Sequence, residues 1–265
     1  MLNGKPIGVF DSGVGGLSVV EEIFKQLPGA RIIYVGDTAR VPYGGRPAKE
    51  LIAFADEITN FLIQSGAWGI IDACNSTSAV ALDYLQEKYV NPIIGVVEPG
   101  VKAALQVTKN NRIGLIATEA TVKSGAHIRF AKLLNPNVHI YSLACPDFVP
   151  LVEAGEVTGD RTKSIVKKAL KPLMCLGIDT LILGCTHYPY LAPVIKDVLG
   201  TDINLVDPAI ETVKEAGKMI FNGHYRSFCP EADDQYFVTG DPAHFKTVGD
   251  MLIKNSLPII RKVVL

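Results

Sequence analysis

The sequence predicts an α/β fold of two pseudo-symmetric lobes, each a largely parallel sheet flanked by helices, with a site at the lobe interface. Three observations carry this expectation. Short strand-like runs alternate with amphipathic helical segments from end to end of the 265 residues, the pattern of helices packed on both faces of a sheet. Most of those runs are continuously apolar rather than alternating, as strands covered on both faces are. One unit occurs twice: a buried apolar run ends in a cysteine and small polar residues follow at once, at Cys74 and at Cys185.

The strand-like runs fall at Pro6 to Phe10, Arg31 to Val35, Gly69 to Ala73 and Pro92 to Val96. They recur at Arg112 to Ala117, Val138 to Leu143, Thr180 to Leu183, Asn204 to Val206 and Tyr236 to Val238. Helices lie between them. In the second, Leu51, Phe54, Ala55, Ile58, Phe61 and Leu62 recur at helical spacing, and Pro47 suits its first turn. The two cysteine units mark the two lobes. Connections are expected near Glu98-Pro99-Gly100 and near Asp207-Pro208. Residues 1–97 and 208–265 then form one discontinuous lobe and residues 98–207 the other.

Hydrophobic residues make up 48% of the chain and charged residues 20%, the balance of an ordinary soluble globular protein. With 26 basic against 27 acidic residues the net charge is −1, so no strong field gathers nucleic acid or an anionic membrane. No apolar run approaches bilayer-spanning length, and Met1 to Pro6 lack the apolar stretch of a signal peptide. Five cysteines at irregular spacing include no paired CxxC, which points to free thiols in a reducing cytoplasm. His127, His139, His224 and His244 are scattered without a ligand pattern, so no metal is expected.

Asp11-Ser12-Gly13-Val14-Gly15-Gly16 separates the first strand from a helix beginning near Leu17. Glycines there let backbone N–H groups approach an anion at a helix N-terminus. The run is neither a GxGxxG fingerprint nor a phosphate loop, so a dinucleotide is not indicated. A tight turn with an Asp cap is the plainer alternative.

A thiol at the carboxyl end of a strand sits where open α/β sheets keep their chemistry, and an adjoining helix N-terminus lowers its pKa. A lone cysteine there is more often inert packing. Here the contexts match, because Asn75, Ser76 and Thr77 follow Cys74, and Thr186 and His187 follow Cys185. Two such thiols, one from each half, suit an enzyme that takes a proton from one face of a carbon and returns it to the other. Cys145, Cys175 and Cys229 lack this setting and are assigned to structure, Cys175 in a patterned helix from Lys171 to Leu176.

His187 adjoins Cys185 and can assist proton transfer, or else cap the helix that follows. Glu153 stands among apolar neighbours, and pattern alone favours an ordinary helix-surface carboxylate. The loop from Gly36 to Arg46 follows a strand, where binding residues gather. Its Tyr43 and Gly44 offer a phenol and a backbone donor. Thr118 to Thr121, a hydroxyl-rich turn after another strand, binds a carboxylate or caps its helix.

Taken together, Gly8 to Leu17, Ala73-Cys74-Asn75 and Gly184-Cys185-Thr186-His187-Tyr188-Pro189 resemble the glutamate racemases of the aspartate/glutamate racemase superfamily. The likeness extends over essentially the whole chain, with Val41-Pro42-Tyr43-Gly44 and Ala117-Thr118 through Thr121 included. His187 favours the glutamate branch, since the aspartate branch generally has Glu there. The resemblance implies a cofactor-independent racemase whose two lobes, related by pseudo-twofold symmetry, hold L- or D-glutamate between them. It implies Cys74 and Cys185 as the acid/base pair, with Asp11 supporting one side and His187 and Glu153 acting on the other. Ser12, Tyr43, Gly44, Asn75, Ser76, Thr118, Thr121 and Thr186 would join Asp11 and His187 in holding the substrate. A homodimer in a bacterial cytoplasm, making D-glutamate for peptidoglycan, is implied as well. One departure is visible: Cys74-Asn75-Ser76-Thr77 stands where the family commonly has Cys-Asn-Thr-Ala.

Other readings remain open at the level of sequence. One is a racemase for aspartate or a related dicarboxylate, and another is a two-lobed receptor for small anions that needs neither thiol. A thiol-dependent hydrolase could use Cys185 with His187 as base, but it leaves Cys74 without a task.

Overall fold

Strand and helix alternate along the chain in the computed structural model, which describes residues 5–221, 233–253 and 256–265. The first part runs β1 (Ile7–Asp11), α1 (Leu17–Gln26), β2 (Ile32–Gly36), α2 (Ala48–Gln64), β3 (Gly69–Asp72), α3 (Asn75–Lys88), β4 (Ile93–Gly95) and α4 (Val97–Val107). There follow β5 (Arg112–Ala117), α5 (Glu119–Ser124), α6 (Ala126–Leu134), β6 (His139–Ala144), α7 (Phe148–Glu153) and α8 (Asp160–Leu170). Next come β7 (Thr180–Gly184), α9 (Ala192–Leu199), β8 (Asn204–Val206) and α10 (Pro208–Phe221). The described chain closes with β9 (Gln235–Val238), α11 (Pro242–Leu252) and β10 (Ile260–Lys262).

The strands form two sheets, ordered β10-β9-β2-β1-β3-β4 and β6-β5-β7-β8. Every pairing is parallel. Every residue of β1, β2, β3 and β7 is buried, which is why those strands read as unbroken apolar runs. The α/β class expected from the sequence is therefore what forms. A single hydrophobic cluster joins the sheets, with Val14 and Leu17 from one side and Phe148, Leu183 and Tyr188 from the other.

Two elements differ from expectation. Strand β10 escapes the sequence reading because it is a three-residue sheet edge containing Arg261 and Lys262, both exposed. The helix expected from Lys171 to Leu176 shrinks to a 3₁₀ turn over Lys171–Leu173, and a left-handed Gly177 at φ +62 reverses the chain soon after. Cys175 is thus exposed rather than packed in a helix. His224 and Cys229 lie outside the described residues. Among the described residues no helix is long and apolar enough to cross a membrane.

Candidate active site

Parallel strands deliver their carboxyl ends to one side of a sheet, and the candidate residues stand there in both. Asp11 closes β1, Cys74 follows β3 as the N-cap of α3, Thr118 follows β5 as the N-cap of α5, and Cys185 follows β7. A cavity of about 180 Å³ is lined by both thiols. Ser12, Tyr43, Gly44, Asn75, Ser76, Thr118, Thr186 and His187 also line it. Asp11, Thr121 and Glu153 stand behind that lining, joined to it by hydrogen bonds. Pro42, Gly45 and Glu119, from the loop and turn marked in the sequence, and Pro146 and Val149, which carry no such mark, complete the wall.

On one side the Cys185 sulfur lies 3.6 Å from His187 Nδ1. The other ring nitrogen, Nε2, is 2.7 Å from Glu153 Oε1, and the same carboxylate oxygen accepts the Val14 N–H at 3.2 Å. Burial pulls the imidazole pKa down, but hydrogen bonds and charge from Cys185 and Glu153 prevail and hold it well above its ordinary value. Burial likewise pushes Glu153 up, yet its bond to His187 and the imidazolium charge keep its carboxyl below the usual range. Glu153 is therefore no ordinary surface carboxylate. His187 does not cap the following segment through its side chain, and that segment begins as a 3₁₀ turn over Tyr188–Leu191 before α9.

Asp11 is fully buried and accepts the N–H groups of Gly13 and Gly16, each at 3.1 Å, through Oδ2. Its Oδ1 accepts the Thr186 hydroxyl at 3.0 Å. Desolvation raises its pKa, opposed by the charge of His187 and by these donors. Two glycines let this turn lie against the Cys185 segment. A Cβ on Gly13 would fall 2.1 Å from Glu153 Oε1, and one on Gly15 would fall 2.4 Å from Thr186 Oγ1 and 2.5 Å from His187 Nδ1. The glycine-rich run serves close approach between the two sheets.

Cys74, only 4% exposed, meets a different environment. Desolvation, then the neighbouring Asp11 and Asp72 carboxyls, push its thiol pKa up. A helix N-terminus lowers a thiol's pKa in isolation; here burial and two acidic neighbours outweigh it. Asp72, at the end of β3, accepts the Cys74 N–H at 3.1 Å and the Thr77 hydroxyl at 2.6 Å through Oδ1. Sequence reading passed over Asp72, because an acid closing an apolar run has no periodic signature. Tyr43 gives its phenol proton to the buried Asp37, which also takes bonds from Arg40 at 2.6 Å and Thr239 at 2.7 Å.

Hydroxyls cross from one sheet to the other over the cavity. Ser76 Oγ on α3 is 2.9 Å from Thr118 Oγ1, which is 3.0 Å from Thr121 Oγ1. Thr118 also accepts the Thr121 N–H at 3.3 Å, so it caps α5 while lining the cavity. The Gly44 carbonyl accepts the Ala120 N–H at 2.7 Å. These contacts tie the Tyr43 loop and α3 to α5. Among the described residues no group of three His, Cys, Asp or Glu side chains is arranged to hold a metal.

With that geometry fixed, comparison with known proteins is decisive. The model of the Asp/Glu/Hydantoin racemase family matches residues 7–216. The chain belongs to the Asp/Glu/hydantoin racemase family. Within that family it is 46% identical to a glutamate racemase of Desulforudis audaxviator over 261 residues, covering 96% of each chain. A crystal structure of glutamate racemase isoform RacE1 from Bacillus anthracis superposes with a TM-score of 0.92 at 37% identity, covering 98% of each chain. Glutamate racemase from Francisella tularensis, solved in complex with D-glutamate, gives a TM-score of 0.90 at 35% identity over 100% of this chain and 98% of that one. The resemblance to glutamate racemases read from the motifs is borne out.

Proposed function

We propose that the protein interconverts L- and D-glutamate by moving a proton between the substrate Cα and two thiols, Cys74 and Cys185. One observation carries the reading: the two sulfurs, brought by different sheets, line the same small cavity. Relatives it resembles over nearly its whole length are glutamate racemases, one of them solved with D-glutamate.

The mechanism follows from the surroundings of each thiol. A Cα–H is a poor acid, so its base must be held close, oriented and away from water. The Glu153-bonded imidazolium of His187 faces the Cys185 sulfur and sets a positive charge beside it. Burial, and after it the neighbouring Asp11 carboxylate, favour a neutral thiol at Cys74. In one direction the Cys185 thiolate removes the proton and Cys74 supplies another to the opposite face. In the reverse direction the two protonation states are exchanged. Charge developing on the carboxylate side is met by the N–H groups opening α3 and by the linked Ser76 and Thr118 hydroxyls, while Thr186, whose hydroxyl is given to Asp11, lines the same wall. Asn75 lines the cavity with an Oδ1 that has no partner among the described residues, an acceptor suited to the substrate ammonium.

The same reading makes the enzyme cofactor-independent and homodimeric, built of units 1–97 with 208–265 and 98–207. It places the enzyme in a bacterial cytoplasm, with its D-glutamate consumed in peptidoglycan. The family resemblance supports these points, and light scattering on the purified protein tests the dimer.

Glu153, His187 and Cys185 also form the carboxylate–imidazole–thiol line that a hydrolase uses. Iodoacetamide inactivation with glutamate protection, followed by peptide mapping, separates the two readings. Protected alkylation at both cysteines is expected, and alkylation of Cys185 alone would favour the hydrolase. Circular dichroism on both enantiomers of glutamate and aspartate identifies the substrate, and turnover of aspartate alone would overturn the choice of glutamate.

A further inference from the structure

We propose that Asp72 is a positioning residue for the Cys74 thiol: paired with Thr77 and carrying its own proton, it anchors the start of α3 and leaves the sulfur free for substrate. This rests on the two-thiol reading above. Cys74 occupies the N-cap of α3 at φ −78, ψ 116, where its sulfur faces the Thr77 N–H without closing a capping bond. That position ordinarily holds Ser, Thr, Asp or Asn, whose oxygen accepts an N–H of the first turn. A sulfur tied to the helix in that way would not be free to face a substrate.

Asp72 supplies the anchor from two residues upstream. Its Oδ1 accepts the Cys74 N–H at 3.1 Å and the Thr77 hydroxyl at 2.6 Å, and Thr77 Oγ1 also lies 3.1 Å from the Cys74 carbonyl oxygen. Residue 74 is thus held at its N–H by Asp72 and at its C=O by the Ser78 N–H at 2.9 Å, while its side chain lines the cavity.

The other carboxyl oxygen, Oδ2, is buried and has no partner among the described residues. An ionised carboxylate with one oxygen left bare in a dry site is costly. Asp11 from β1 adds a second acid nearby, and the groups bearing on Asp72 are Asp11 and the Thr77 and Cys74 donors, none of them cationic. Asp11 has three donors and faces His187, so of the two buried acids Asp72 is the one that keeps a proton. Burial pushes its pKa up in agreement with this geometry.

Three variants test the proposal: Asp72→Val, Thr77→Val and Asp72→Asn. Racemisation is measured in both directions, and iodoacetamide alkylation of Cys74 and Cys185 is followed against pH by peptide mass mapping. Asp72→Val and Thr77→Val are expected to lower kcat roughly 10–100-fold, with KM moving less than about threefold, as for a displaced reacting group. Both should shift the pH profile of Cys74 alkylation and leave that of Cys185 in place. Asp72→Asn, neutral and still an acceptor, should recover kcat to within about threefold of the native enzyme and restore the Cys74 profile.

An Asn variant as impaired as the Val variant, or one whose Cys74 reacts far faster at neutral pH, would reveal a working negative charge and overturn the proposal. Unchanged Cys74 alkylation and unchanged kcat in Thr77→Val would overturn it too, and that variant decides the matter if Asp72→Val does not fold. Alkylation is read at sulfur, so this result is independent of turnover. Failure of the native protein to racemise glutamate would instead sink the two-thiol reading.

Discussion

Glu153 Oε1 and His187 Nε2 are joined at 2.7 Å, across 34 residues of chain and directly behind the Cys185 sulfur. This pair fixes which ring nitrogen faces the thiol and keeps the ring protonated. Glu153→Gln removes the opposite charge, so His187 should lose its proton at lower pH. The alkaline limb of the kcat profile should then move acidward. An unmoved limb would show that His187 is held charged by other groups.

Cys74→Ala and Cys185→Ala should each reduce racemisation by at least roughly 10²–10⁴-fold, the loss expected for one acid/base group. Far-UV circular dichroism should be unchanged. Serine at either place should also be poor, because a hydroxyl is far harder to ionise than a thiol. In D₂O each alanine variant should introduce deuterium into at most one enantiomer. Full turnover by either variant would refute the assignment.

Gly15→Ala places a methyl against Thr186 and His187, with 2.4 Å and 2.5 Å separations that cannot both persist. Overpacking of this kind costs about 1–3 kcal/mol, to be read from urea midpoints. Activity should fall further than stability, because the atoms displaced belong to the cavity wall. Native kcat in this variant would show that the turn can yield without disturbing the site.

His127 in α6 is fully buried, and neither ring nitrogen has a partner among the described residues. Desolvation lowers its pKa from 6.5 to about 4. The unfolded chain therefore binds this proton first as pH falls. The stability associated with a neutral His127 is full above about pH 6.5 and is lost progressively down to about pH 4, by roughly 3 kcal/mol in all. His127→Leu should flatten the difference between urea midpoints at pH 7 and pH 4.5 relative to the native protein. Equal pH dependence in the two would remove His127 as the cause.

Much of this architecture is legible in the residues themselves, since buried parallel strands announce themselves as unbroken apolar runs. The two cysteine units are legible because their polar followers repeat in the same order after each strand. Long-range pairing is not legible in that way. Glu153 reads as a surface acid until the fold brings it to His187, and Thr77 reads only as a departure from Cys-Asn-Thr-Ala until Asp72 is seen to accept its hydroxyl. Asp37 is hidden for the same reason, as its bonds to Tyr43 and Thr239 join segments far apart in sequence. Strand β10 was missed because it is a short polar edge.

Among the described residues no lysine or arginine lines the cavity. Its wall offers oriented N–H and O–H dipoles at contact distance, together with the His187 imidazolium, whose charge is paired with Glu153. Dissolved salt weakens attraction between separated charges over about 8 Å at physiological ionic strength, but it scarcely reaches bonds made inside a closed wall. Substrate affinity should accordingly change little between dilute buffer and molar salt, and the enzyme can discriminate among anions by shape without drawing in every phosphate or chloride nearby.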